Sequence, residues 1–259
     1  MRKRGNKKSQ ITVFIIVAIV IVIVALLILY FSAKSGLIFE TGIDSEIEPV
    51  YSFVQNCVDK TSEDAIYYIG QTGGYFLVPE KSTEGNIPYY FNKGENLLPT
   101  KERIEEELSL YLNQGLFFCT KNFIDFPELE VKQQEIISEV EIVEDKVIFK
   151  IKYPLSIKKA EKTYTFEKFN SEIPSRLNTI YDTVENIIGE QMLYHGGVCV
   201  NCISDIAYEN KVYVSMNDDP FNPEVIIFSI IDDQDKINNE EYVFYFANRY
   251  EVENELLEE

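Results

Sequence analysis

The chain has 259 residues, 43 of them acidic and 24 basic, and a formal charge of −19. An acidic surface repels phosphate, so the balance excludes nucleic acid as an expected partner. Length and a 46% hydrophobic content allow one large domain, or two small ones, with an ordinary core.

The charge is segregated. Arg2, Lys3, Arg4, Lys7 and Lys8 all stand in the first eight positions, and no acid occurs before Glu40. Ile11–Phe31 follows as 21 residues without a charge. At about 1.5 Å of rise per residue this reaches roughly 30 Å, the hydrocarbon thickness of a bilayer. Tyr30 and Phe31 stand where an interfacial aromatic belt belongs, and the basic head holds its end in the cytoplasm. A cleaved secretory signal has a shorter apolar region, about 7–15 residues, so the span is expected to stay. The expectation is a single-pass protein of the cell membrane, its amino terminus cytoplasmic, its body extracellular and the lipid bilayer its first partner. Ala18, Ala25 and Ser32 recur every seven residues. Such small side chains allow close helix approach, which makes self-association through the span a candidate.

The stretch KKSQITVFI resembles the class III signal peptide of archaeal pilin-like proteins. In that family a basic leader ends in a small residue, then Gln, then the apolar helix, and the leader is cut before the helix. The resemblance implies a cut between Ser9 and Gln10, with Ser9 standing where Gly or Ala is usual. Further along, a helix carrying one Cys leads to GQTGGYF and LLPTKERIEEEL. This resembles a group of membrane-anchored archaeal surface proteins and implies no activity.

Residues 1–9 are thus a leader, 10–33 a transmembrane helix and 34–43 a linker. Residues 44–250 are an ectodomain with a possible sub-boundary near Pro127, and 251–259 an acidic tail. In the ectodomain, Ile47, Val50, Val54, Cys57, Val58, Thr61, Ala65 and Tyr68 keep the 3.6-residue period, which predicts a helix from about Asp44–Glu48 to Gly73-Gly74. The glycines suit a helix end; they lack the Lys-Ser/Thr of a phosphate loop. Tyr75–Val78 and Pro88–Phe91 predict a short hairpin. A second helix is expected after Pro99, capped by Thr100, with Ile104, Leu108, Tyr111 and Leu112 inward and its end near Gly115.

Alternation over Glu139–Val143 and Val147–Tyr153 about Glu144-Asp145 predicts strands, as do Leu155–Lys158 and Thr163–Phe166 about KAEK. A third helix is expected from Pro174 to Gly196-Gly197. Ile206–Met216, Glu224–Ile231 and Glu241–Asn248 complete the expected strands. Helices and strands fall in blocks, which predicts an α+β fold: an amino-terminal transmembrane helix, then a mixed helix and antiparallel-sheet ectodomain.

The four cysteines, in an exterior compartment, point to disulfides. Cys57 and Cys119 meet if their helices pack antiparallel, and Cys199 and Cys202 form the pair CVNC. Two sharper readings exist. A redox CxxC needs a helix amino terminus to stabilise its thiolate, whereas here a strand is expected to follow, which weakens that reading. His195, Cys199 and Cys202 also supply three candidate zinc ligands. Other signals are weak. Ser156–Lys159 matches SxxK without companion motifs, and NDDPFNPE and DDQDKINNE lack calcium-loop spacing and suit solvated turns. No cofactor and no enzymatic activity are expected. The expected function is a pilin-like structural or assembly component. An anchored extracellular binding module and an extracytoplasmic thiol or zinc enzyme using CVNC are the alternatives.

Overall fold

The computed structural model describes residues 45–194, 197–237 and 240–251, without the side chain of Asp235. The leader with Ser9 and Gln10, the apolar span with Ala18, Ala25 and Ser32, the linker, His195 and residues 252–259 lie outside the described residues. The chain divides into two compact units, Met1–Glu48 and Pro49–Glu259, and the architecture that follows is that of the second. Among the described residues no helix is long and apolar enough to cross a membrane.

The fold is α+β. Helix α1 (Glu48–Gln71) buries Val50, Val54, Cys57, Val58, Thr61 and Ala65 as the period requires, and adds Ser62, Ile66, Ile69 and Gly70. The extra buried positions arise because α1 has neighbours on more than one side. Its amino-terminal half meets strand β6 (Lys162–Pro174), where Tyr51 stacks on Phe169 at 5.4 Å and Ser171 Oγ donates to Asp59 Oδ1 at 2.7 Å. Its carboxy-terminal half lies on strand β9 (Glu240–Arg249). There a Cβ on Gly70 would stand 2.7 Å from the carbonyl oxygen of Val243, and the Tyr242 hydroxyl donates to Ile66 O at 3.1 Å. Gly73 and Gly74 take positive φ, 55° and 76°, and turn the chain out of the helix.

Helix α2 (Lys101–Thr120) is capped as expected, with Thr100 accepting the amide of Arg103. It passes through Gly115 instead of ending there. The glycine is a contact point: a Cβ on it would lie 2.7 Å from Thr61 Cγ2. The pairings Cys57 with Cys119, Thr61 with Gly115 and Tyr68 with Tyr111 run in opposite senses, so α1 and α2 are antiparallel.

The expected hairpin of Tyr75–Val78 with Pro88–Phe91 does not form. The amides of Phe76 and Leu77 donate to Glu107 Oε2 at 2.9 and 3.1 Å, so a buried carboxylate on α2 takes the place of a partner strand. Strand β1 (Tyr89–Asn92) pairs instead with β2 (Glu95–Asn96) and, in parallel, with β9.

Two sheets complete the fold. In the four-stranded sheet, β5 (Lys146–Lys159) is central. One edge carries β4 (Ile137–Ile142) and then β3 (Glu130–Gln133); β6 runs along the other. The two predicted strands on either side of Pro154 are one. Proline cannot donate to a ladder, and the register shifts between Lys152 and Leu155 to accommodate it. Burial still alternates through Val147, Phe149, Ile151, Tyr153, Leu155 and Ile157. The five-stranded sheet has the order β2-β1-β9-β8-β7, with β7 (Tyr213–Asp218) and β8 (Val225–Ile237). Tyr90, Phe246 and Phe228 stack across three of its strands, with centroids 5.1 and 4.8 Å apart.

Pro174 ends β6, paired with Lys146, and does not open a helix. Helix α3 (Leu177–Leu193) then starts after Arg176, and Ser175 Oγ accepts the amide of its first residue, Leu177, at 3.2 Å. The run DDQDKINNE is also not a simple turn, because β8 continues to Ile237. Asp232 within it is fully buried and accepts both Arg176 Nη1 contacts at 2.7 Å.

Candidate functional site at Cys199 and Cys202

The segment expected to be a strand from Ile206 begins as a helix. Cys199, Cys202, Ile203, Ile206, Ala207 and Asn210 are its less exposed residues, while Val200, Asn201, Ser204, Asp205, Tyr208 and Glu209 face out. This is a helical period, and the residues form α4 (Val200–Asn210). Lys211, in the left-handed region at φ 54° and ψ 49°, ends it, and strand β7 follows. The two polar positions Glu209 and Asn210 and the left-handed Lys211 separate what the sequence suggested was one strand.

The consequence for CVNC is direct. Cys199 is the N-cap of α4, and its Sγ accepts the amide of Cys202 at 3.3 Å. Ile203 N–H donates to Cys199 O at 3.1 Å, the first turn of the helix. Cys199 and Cys202 are bonded to each other, with Cα atoms 5.3 Å apart, and both are half-buried. The reason for setting aside a redox reading, a strand after CVNC, is therefore overturned. The motif sits at a helix amino terminus, where peptide dipoles and free amides favour a thiolate.

A buried polar chain fixes the approach to this site. Gln191, on the last turn of α3, donates from Nε2 to Tyr194 O at 2.7 Å and to Gly197 O at 2.9 Å. Its Oε1 accepts the Tyr250 hydroxyl at 2.8 Å, and Tyr250 in turn accepts from Asn248 Nδ2 at 3.4 Å. Burial pushes the Tyr250 phenol up to about 12, which keeps it a donor throughout the ordinary pH range. The loop before Cys199 is thus tied by side-chain bonds to β9 and the residue after it. At the far end of α4, Arg176 Nη2 donates to Asn210 O at 2.7 Å while its other nitrogen holds Asp232. Neither tie was visible in the sequence: Gln191 and Tyr250 stand 59 residues apart, and Arg176 and Asp232 stand 56 apart.

Near the motif in sequence, exposed apolar side chains occur together with exposed Asn201, Ser204 and Asp205. Leu193 is 72% exposed, Tyr194 57% and Val200 58%. In the other cystine, Cys57 is 3% exposed and is bonded to half-buried Cys119 between the antiparallel helices, with Cα atoms 5.7 Å apart. The pairing expected from antiparallel packing is the one observed. All four cysteines are in disulfides.

Both sulfurs of CVNC are committed to their own bond, so neither stands as a thiolate ligand for zinc beside His195, which is outside the described residues. Among the described residues no group of three or more His, Cys, Asp and Glu is arranged to hold a metal ion. NDDPFNPE makes a turn: Asp219 accepts the amides of Phe221 and Asn222 at 2.7 and 3.2 Å. An open groove of ≈ 530 Å³ between α2 and β4 is lined by Glu102, Glu105, Glu106, Ser109 and Glu139. Burial raises the Glu105 carboxyl above its ordinary value, although the Ile142 amide donates to it at 2.8 Å. Comparison of the chain with known protein families, with characterised proteins and with solved structures finds no match.

Proposed function

We propose that the chain is a single-pass surface protein, a pilin-like structural or assembly component whose amino-terminal helix sits in lipid and packs with copies of itself. Its α+β body faces the exterior. The observation that carries this reading is the uncharged run Ile11–Phe31 behind a head of five basic residues. Two features support it. Disulfides persist in oxidising compartments, and both cystines of the body are closed. KKSQITVFI resembles a leader whose removal leaves the helix in place, and Ala18, Ala25 and Ser32 offer a seam for self-association.

The test is made on native membranes. The protein is expected to resist extraction by alkaline carbonate, to lose its acidic body when protease is added to intact cells, and to begin at Gln10 by mass spectrometry. Release into the soluble fraction, or a body protected from protease, overturns the anchored reading. A protein that begins at Met1, stays monomeric in mild detergent and forms no filaments instead supports an anchored binding module.

A further inference from the structure

We propose that Cys199–Cys202 is an exchanging redox centre, which trades two electrons with the dithiol or disulfide of another protein, while Cys57–Cys119 is a permanent staple. This goes beyond the anchored-surface reading and does not depend on self-association.

The two cystines differ in loop length and in their place on a helix; in burial they differ only at Cys57, which is 3% exposed, since Cys119 is half-buried like Cys199 and Cys202. Cys57–Cys119 closes a sequence separation of 62 and is packed between two helices. Cys199–Cys202 closes a separation of 3, so its formation restrains the unfolded chain far less and its opening releases little constraint. Both of its residues are half-buried, at the amino-terminal end of a helix on which Ile203 is the one buried residue. The Cys202 amide that donates to Cys199 Sγ, and the positive end of α4, stabilise Cys199 as a departing or attacking thiolate. Val200, between the two cysteines, is 58% exposed and offers an approaching protein segment an apolar contact beside the bond. Gln191 and Tyr250 hold the preceding loop through bonds that do not involve sulfur, so the site keeps its shape when the cystine opens.

The reaction balances within the two proteins. A thiolate of the partner attacks Cys202 Sγ. The Cys199–Cys202 bond breaks, and its electron pair leaves on Cys199 as a thiolate. The partner's second thiol, giving its proton to water, attacks the partner sulfur of the mixed disulfide. Cys202 leaves with that electron pair and takes a proton. The Cys199–Cys202 pair is reduced to two thiol groups, one of them ionised, and the partner dithiol is oxidised to a disulfide. A partner that arrives as a disulfide runs the same steps in reverse.

The experiment uses the full chain in detergent, exposed to dithiothreitol and, separately, to graded ratios of reduced and oxidised glutathione. Samples are quenched with acid and alkylated, and each cysteine is assigned by mass spectrometry. Cys199–Cys202 is expected to open at least about tenfold faster than Cys57–Cys119, at a milder glutathione ratio and with the fold intact by circular dichroism. A synthetic peptide with two cysteines and apolar flanks is expected to be oxidised at one equivalent per chain. Either Cys199→Ser or Cys202→Ser abolishes that oxidation and leaves Cys57–Cys119 closed. If the two cystines open together, or Cys199–Cys202 opens only on unfolding, or the dithiol peptide is not oxidised and its disulfide form is not reduced by the opened pair either, the proposal is overturned. Because anchoring is measured on membranes and exchange in detergent, failure of one leaves the other readable.

Discussion

At the scale of single residues, buried polar groups decide more than the apolar ones. Asp232 has no exposure and lies in a strand, a position an isolated carboxylate would occupy at high cost. Arg176 makes it tolerable with two contacts at 2.7 Å and adds a bond to Asn210 O, so one guanidinium joins β8 to the end of α4. Replacing Arg176 with Ala is expected to cost about 3–5 kcal/mol in urea unfolding, because a buried charge loses its partner. Arg176→Lys should recover only part of the loss, since a single ammonium cannot span both carboxylate oxygens and the carbonyl. Tyr250 gives a pH prediction. Its folded phenol ionises near 12, above the ordinary value of 10.0, chiefly through burial. Its contribution to stability is therefore whole below pH 10 and is lost as pH rises through the folded value, because the unfolded chain releases its proton first. In a tyrosinate absorbance titration, Tyr250→Phe should remove one late-titrating group. Tyr90, also held well above its ordinary value by burial, should remain late in that variant.

At the scale of elements, the helices show where local pattern suffices and where it does not. The stripes of α1 and α2 and the Thr100 cap followed from spacing and cap chemistry, because apolar periodicity is a property of the segment itself. The passage of α2 through Gly115 did not, since glycine reads locally as a stop and only the nearness of Thr61 gives it another purpose. Gly70 makes the same point testable. An exposed helical Gly→Ala change would be worth about 1 kcal/mol in favour of the variant. Here the added Cβ would stand 2.7 Å from the backbone oxygen of Val243 and 2.8 Å from the Tyr242 ring. Gly70→Ala is therefore expected to destabilise by about 1–3 kcal/mol, measured as a shift in the urea midpoint. The most consequential element is α4. Ile206, Tyr208, Val212 and Val214 suggest alternation, yet Cys199, Cys202, Ile203, Ile206 and Ala207 keep the helical period one turn earlier. Starting the period at Cys199 would have placed CVNC at a helix amino terminus from the sequence alone.

At the largest scale, two sheets, α1 and the Cys57–Cys119 disulfide join segments distant in sequence within the second unit. Removing Cys57–Cys119 by paired Cys→Ser changes is expected to cost about 4 kcal/mol on the loop-closure argument, whereas the same change at Cys199 and Cys202 should cost much less. Urea unfolding of the two double variants checks this. The α+β class, the blocks of strands around β5 and the stripe of α1 were legible in the residues alone, because period, cap and turn residues act over a few positions; the pairing of Cys57 with Cys119 was legible only on the condition that α1 and α2 pack antiparallel, which is a tertiary fact. Tertiary packing alone settled that the Phe76 and Leu77 amides donate to Glu107, that β1 joins β9 in parallel, that Asp232 is buried against Arg176, and that Gln191 and Tyr250 brace the loop before Cys199. Each of these is a bond between side chains or backbones far apart along the chain. Whether a polar group is solvated or buried with a partner depends on which distant segment folds over it, and no local pattern carries that choice.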